Sequence, residues 1–402
     1  MSAENSAATP LPLLAGVTIV DLSRVLAGPF ATMTLANLGA RVIKVEIPGT
    51  GDDSRAFGPF AGGKSLYFSA INCNKESIAL NLREAPDRAI FESILEKADI
   101  VVENYRPGTM EKLGYGWDVL HARYPHLIYG AASGFGDSGP YSRRAAYDMV
   151  VQGMGGIISM TGYPGGKPTR VGISIGDITA GLYLAIGLNG ALFRRTLTGL
   201  GSKIDIAMLD CQAAIMEDAI TSCAKTGEVP GPHGTRHPSI APFQAFLASD
   251  GYIIIAAGND HLFALMAGAL DEPGLTADPR FATNDLRHQN IDALEQEMEK
   301  ALSKNTVAHW LDALNAAGVP CGPINDIAGM IADPQVNARN MVVTVQDPVA
   351  GEIRVAGNPV KVVGLAEPAT FAPPPELDEH RAKIVAEFAP LAAGDLAGKS
   401  PS

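Results

Sequence analysis

The chain has 402 residues, 47% hydrophobic and 18% charged, with a formal net charge of −12. That composition supports a large core, and an acidic chain without a Lys- or Arg-rich run excludes a non-specific nucleic-acid or membrane-surface binder. Cys73, Cys211, Cys223 and Cys321 form no C-x-x-C pair and have no His at zinc spacing, so free thiols in a reducing cytoplasm are expected, without a metal site.

Residues 1–16 carry Glu4 and no Lys or Arg, which is not the pattern of a secretory leader. Residues 17–21 read as a buried strand, 26–29 as a small-residue loop, 30–38 as a helix capped by Gly39, and 41–46 as a second strand. This βαβ unit implies a parallel, doubly wound α/β sheet. The pattern repeats with a strand at 77–82, a helix at 85–97, and strands at 99–103 and 127–130. Their ends feed loops at 104–108 and 133–140, where ligands gather in open α/β sheets.

The apolar run 178–193 contains Thr179, Asn189 and three Gly. It is short for a membrane span and predicts a soluble helix over 178–197 whose small residues suit close packing. Near residue 225 the texture changes, and 227–234 holds three Gly and two Pro. A hairpin (242–246 and 252–256) and helices near 260–270, 288–303 and 305–317 follow. The expected organisation is a large domain over 1–224, a smaller α+β domain over 225–330, and a return to the large domain over 331–402, with strands in 338–364 and a helix near 378–389.

Two phosphate signatures fail. Gly165-Gly166-Lys167 is followed by Pro168 and lacks the leading Gly of a P-loop, and Gly153-Met154-Gly155 has Ile158 where a dinucleotide fingerprint needs Gly. Neither a nucleoside triphosphate nor a nicotinamide site is expected. In Gly176-Asp177, by contrast, a carboxylate stands at the start of a long apolar helix. An N-cap explains such a residue by itself. A nucleophile also fits: Gly176 leaves room for a ligand, and the helix N-terminus favours an ionised carboxylate able to attack an activated carbonyl.

Several ordered motifs accompany it: Ala27-Gly28-Pro29, the run 38–46 with Pro48-Gly49, the turn Glu103-Asn104-Tyr105-Arg106-Pro107-Gly108, Ala146-Tyr147-Asp148, and the runs 134–141, 242–246 and 318–323. In this order they resemble the family III CoA-transferases, the group that includes formyl-CoA transferase, carnitine CoA-transferase and α-methylacyl-CoA racemase. The resemblance covers about residues 13–390 and looks most like its succinyl-CoA:dicarboxylate members.

The resemblance implies a Rossmann-like large domain built from both chain ends, a smaller α+β domain and an interlocked homodimer. It implies transfer of CoA from an acyl-CoA, such as succinyl-CoA, to a carboxylic acid, with coenzyme A as substrate and product. Asp177 is then the nucleophile, passing through an aspartyl anhydride and an aspartyl-CoA thioester. CoA contacts fall on Leu26, Ala27, Leu80, Arg83, Asn104, Tyr105, Arg106, Lys112, Tyr147 and Asp148, and a glycine loop on Ala257, Gly258 and Asn259. Arg55, Arg170 and Arg236 are candidates to hold a second carboxylate. The alternatives are an acyl-CoA racemase or isomerase, opposed by Tyr147 where that branch has a catalytic His, and a non-catalytic acyl-CoA-binding partner subunit, opposed by Asp177.

Overall fold

The computed structural model describes residues 11–388. The segment read as lacking a leader and the end of the C-terminal tail lie partly outside them. The chain forms two compact units. Among the described residues one comprises 11–157, 170–222 and 335–388, the other 158–169 and 223–334.

In the first unit six strands form one sheet: β1 (Thr18–Asp21), β2 (Arg41–Glu46), β3 (Lys75–Ala79), β4 (Ile100–Glu103), β5 (Ile128–Ser133) and β6 (Lys203–Ala207). They lie in the order β3-β2-β1-β4-β5-β6 and every pair is parallel. The α/β expectation is met, and the order reverses between β1 and β4, where doubly wound sheets open a crevice.

Both faces of the sheet are covered, as parallel sheets require. Ile19, Val42, Ile100 and Val102 pack on one side with α1 (Ala27–Asn37) and with Leu184 and Leu188 of the long helix. Val20, Ile43, Ile78 and Val101 face the other side, against α3 (Ala85–Lys97) and the C-terminal helix Arg381–Phe388. A short helix, α2 (Leu66–Asn72), precedes β3, and α4 (Asp148–Met154) precedes the long α5 (Ile175–Thr198).

Three boundaries differ from the sequence reading. Residues 27–29 of the expected loop already belong to α1, with Leu26 at its cap, because Pro29 lies in the first helical turn, where its missing N–H is no loss. Gly39, at φ 102°, follows that helix as expected. The third strand is Lys75–Ala79 rather than 77–82. Of the strands expected in 338–364 there is one antiparallel hairpin, Val342–Asp347 with Gly351–Ala356.

At 24 residues α5 is longer than expected, and by length and composition it is able to cross a membrane. One side of it packs into the core, where Leu184 and Leu188 are fully buried and a Cβ on Gly181 would stand 2.8 Å from the Ala27 carbonyl oxygen, while Ile186, Phe193 and Leu197 are exposed. Gly181→Ala is expected to destabilise the fold by about 1–3 kcal/mol through overpacking against α1, measurable as a lower denaturant midpoint.

The second unit holds an antiparallel sheet of Phe243–Leu247, Tyr252–Ala256 and Cys321–Pro323. Helices Asp260–Ala269, Ile291–Leu302 and Val307–Ala316 contribute to its core, around Phe246, Ile255, Met298 and Trp310. The helix expected near 288–303 is two helices, Asn284–Gln289 and Ile291–Leu302. Arg287 on the first is fully buried and donates to the Ala241 and Phe281 carbonyls and to Asp260.

Candidate active site

The crevice between β1 and β4 is closed at its floor by a reciprocal pair. The Arg24 N–H donates to Asn104 Oδ1 at 2.8 Å, and Asn104 Nδ2 donates to the Arg24 carbonyl at 2.7 Å. Above it lie two cavities. One, of about 200 Å³, is walled by Leu26, Ala27, Arg106, Arg144, Tyr147 and Asp177. The other, of about 550 Å³, is walled by Leu22, Pro48, Leu80, Arg83 and Thr109. Arg24 and Tyr105 line both, so the two share a wall.

Under the first βα loop lies a buried ionic network. Lys44 in β2 and Lys75 in β3 are both buried. Such charges must be paired and hydrogen-bonded. Lys44 Nζ stands 2.9 Å from Asp52 and donates to the Ser23 carbonyl at 2.8 Å. Lys75 Nζ stands 3.1 Å from Asp21 and donates to the Pro29 carbonyl at 3.0 Å and to Thr32 Oγ1 at 2.8 Å. The two lysines thus tie down both ends of the loop. Burial pulls the Lys75 ammonium down to about 8 against the pull of Asp21. Burial also disfavours charge on Lys44, but Asp21, Asp52 and Glu46 outweigh it and hold that ammonium above its usual range.

Asp177 is the third residue of α5; Ser174 is the cap position, so capping does not explain the carboxylate. Its pKa is pushed up to about 7, first by burial and then by the neighbouring charge of Asp148, against one favourable hydrogen bond from the Ala27 N–H. This corrects the expectation that the helix N-terminus alone keeps it ionised: at neutral pH it is poised between its two forms. Gly176 also has a different purpose from the one expected. A Cβ there would stand 2.7 Å from Val151 Cγ2 and 3.0 Å from Asp148 Oδ1, so the glycine permits the close approach of α4.

Asp148, expected at the CoA, is buried and absent from the cavity wall. Its Oδ1 accepts the Gly176 N–H at 2.8 Å and its Oδ2 accepts from Gln152 at 2.7 Å. It secures the first turn of the helix that carries Asp177. Tyr147 lines the smaller cavity while remaining 79% exposed. Lys112 is exposed on the short helix Thr109–Leu113 and lines neither cavity. Arg83 and Arg106 are exposed at the larger and smaller cavity respectively, and neither forms an ion pair among the described residues.

The three arginine candidates are otherwise engaged. Arg55 makes a two-pronged contact with Glu46 at 2.7 Å on each prong and lies over Phe68. Arg236 is paired with Asp292 and Glu295. Arg170 donates to the carbonyls of Val171 and Gly172. In the second unit Ala257 is buried, Gly258 follows it, and Asn259 Oδ1 caps the next helix by accepting the Leu262 N–H at 2.9 Å. Among the described residues no group of three or more His, Cys, Asp or Glu is placed to hold a metal ion.

Sequence reasoning missed Arg24, Val25, Tyr67 and Arg144. Arg144 lies over the Tyr141 ring at 4.5 Å and in the wall beside Asp177. Burial, then the charge of Asp177, push the Tyr67 phenol up to about 12, which places it near the carboxylate and protonated. The readable signal lay elsewhere: Lys44 inside the apolar run Val42-Ile43-Lys44-Val45 needed a buried partner.

The CoA-transferase family III pattern matches residues 14–381, and the chain belongs to that family. It is 45% identical over 387 residues to the acetyl-CoA:oxalate CoA-transferase of Acetobacter aceti, spanning 96% of this chain and 98% of that one. It is 38% identical over 375 residues to the human succinyl-CoA:glutarate CoA-transferase, spanning 93% and 85%. A crystal structure of a CAIB/BAIF family protein from Brucella suis superimposes with a TM-score of 0.85 at 39% identity, covering 94% of this chain and all of that one.

Proposed function

We propose that the chain moves CoA from an acyl-CoA donor, succinyl-CoA foremost, to a dicarboxylic acid, with Asp177 as the covalent nucleophile. The observation that carries the reading is the half-buried Asp177 carboxylate at the head of α5, in the wall of a cavity at the carboxyl ends of parallel strands beside Leu26 and Ala27. Ionised, Asp177 attacks the donor thioester carbonyl and expels CoA thiolate, leaving a mixed anhydride. The thiolate attacks the aspartyl carbonyl, releases the donor acid and forms an aspartyl-CoA thioester. The acceptor carboxylate attacks that thioester, expels CoA thiolate and forms a second mixed anhydride; the thiolate then attacks the acceptor acyl carbonyl of that anhydride, giving the new acyl-CoA and freeing the Asp177 carboxylate. The bond energy of the thioester is kept at every step.

In this reading the Ala27 N–H stabilises the oxyanions. The larger cavity takes the nucleotide end of CoA, with Arg83 in its wall and Arg106 in the wall of the adjoining smaller cavity toward the phosphates. The acceptor class is supported by the names of the two relatives above, oxalate and glutarate both being dicarboxylates, while their donors differ. A racemase would need a base on each face of the α-carbon; Tyr147 is a poor one and Asp148 is committed to Gly176 and Gln152.

The reading includes a cytoplasmic homodimer with interlocked chains. Its support is the apolar side of α5 left uncovered, with Ile186 65% and Phe193 68% exposed, and the four free thiols. The test is a transfer screen by mass spectrometry, offering succinyl-CoA and acetyl-CoA against a panel of mono- and dicarboxylates. A new dicarboxylyl-CoA formed by the wild type and absent with Asp177→Ala is the expected result. Transfer to monocarboxylates alone would refute the acceptor class, and transfer by Asp177→Ala would refute the mechanism.

A further inference from the structure

We propose that the buried Lys44–Asp52 pair is a positioning device for the reaction: it holds Val25 in a left-handed backbone conformation that presents the Ala27 N–H to Asp177. The proposal rests on the reading of Asp177 as the nucleophile.

Val25 has φ 65°. A β-branched residue there is a genuine outlier. The strain biases the unrestrained backbone against that conformation by roughly five- to 150-fold. Something must hold it, and the contacts are on both sides. The Val25 N–H donates to Asp52 Oδ1 at 3.0 Å. Asp52 Oδ2 lies 2.9 Å from Lys44 Nζ, which in turn donates to the Ser23 carbonyl at 2.8 Å. Between them Arg24 is fixed by Asn104 through both of its backbone groups. Three consecutive residues are therefore pinned by their main chain, and two residues further on Ala27 lines the same cavity as Asp177 and packs against Gly181 of the helix that carries it.

Neither member of the pair lines the cavity that holds Asp177. The other acids near Lys44 are already engaged. Asp21 is taken by Lys75, Ser23 and Thr32, and Glu46 by Arg55 and Ser77. Asp52 alone joins Lys44 to the Val25 N–H among the contacts of the described residues. A buried ion pair is a poor source of stability compared with apolar side chains of the same volume. Its value here lies in the backbone it fixes.

The test uses the full chain, the best donor–acceptor pair of the wild type from the panel above, and CoA binding by calorimetry. Asp52→Ala removes the acceptor of the Val25 N–H and is expected to lower kcat by about 30-fold, with CoA affinity changed far less. Adding Val25→Gly restores most of that loss, because glycine adopts positive φ without strain. A general loss of stability is read separately, as a lower denaturant midpoint with CoA affinity lost alongside kcat. If Asp52→Ala yields no soluble protein, the double variant Lys44→Met/Asp52→Leu removes the acceptor of the Val25 N–H without leaving a buried unpaired charge and carries the same measurements. An Asp52 variant with wild-type kcat, or a loss that Val25→Gly leaves in place, overturns the proposal. Asp177→Ala run alongside separates the layers: residual transfer by it sinks the nucleophile reading and the proposal together, whereas an inactive Asp177→Ala beside a fully active Asp52 variant sinks the positioning role alone.

Discussion

Asp177→Asn is expected to lose transfer by at least about ten-thousand-fold in kcat and yet to melt at a higher temperature than the parent at pH 8. The two effects have one origin. The carboxyl has a pKa of about 7 in the folded chain and near 3.8 when unfolded. Below pH 4 both states hold the proton, and above pH 7 neither does. In between, the unfolded state releases it first, so stability falls as pH rises, and the full penalty stands above pH 7. Asparagine is isosteric, keeps an oxygen for the Ala27 N–H and has no charge to bury. The gain is about 2 kcal/mol at pH 8 and nothing at pH 4, after allowing for partial exposure. Calorimetric melts of the two proteins at both pH values check it. Equal melting points at pH 8 would mean that the carboxylate is not strained by burial, and the account of its pKa would fall.

The parallel sheet was legible because strand and helix periodicities alternate cleanly from Val17 to Leu127, and because Gly39 marks the end of α1. The start of that helix was not legible. Leu26-Ala27-Gly28-Pro29 has the composition of a loop, and only the contact of Lys75 with the Pro29 carbonyl shows what holds it as a first turn. Asp177 was found by its place at the head of an apolar helix, but its protonation was misjudged. The helix N-terminus is written in the sequence, whereas the nearness of Asp148, 29 residues earlier, exists only once α4 packs over Gly176. Asp148 and Lys112 were assigned from the family pattern. The first accepts the Gly176 N–H in the first turn of α5, and the second lies outside both cavities. Arg55 and Arg236 looked free in the sequence because their carboxylate partners, Glu46, Asp292 and Glu295, are named only by the fold.

The same carboxylate sets the pH dependence of the reaction. The rate constant kcat/KM is expected to fall tenfold per unit as pH drops below about 7, because only ionised Asp177 attacks the thioester. The charged and titratable groups around it are Asp148 from α4 and Tyr67 from α2, with Arg24, Asp53, Tyr105, Arg106, Arg144 and Tyr147 in the cavity wall. Tyr67, pushed up to about 12, stays protonated throughout. Asp148 is therefore the neighbour whose charge opposes ionisation of Asp177. Asp148→Asn removes that charge while leaving an oxygen for the Gly176 N–H, so its acid limb moves to lower pH. At pH 6 the variant then keeps a larger fraction of its plateau rate than the parent keeps of its own. Burial, the larger cause of the shift, is untouched by the substitution, so the midpoint moves toward the ordinary carboxylate range without reaching it. A profile of kcat/KM from pH 5 to 9 for both proteins decides the matter. A limb that stays in place would assign the raised pKa to burial alone, and one that moves to higher pH would show that Asp148 helps Asp177 ionise through the helix turn it holds.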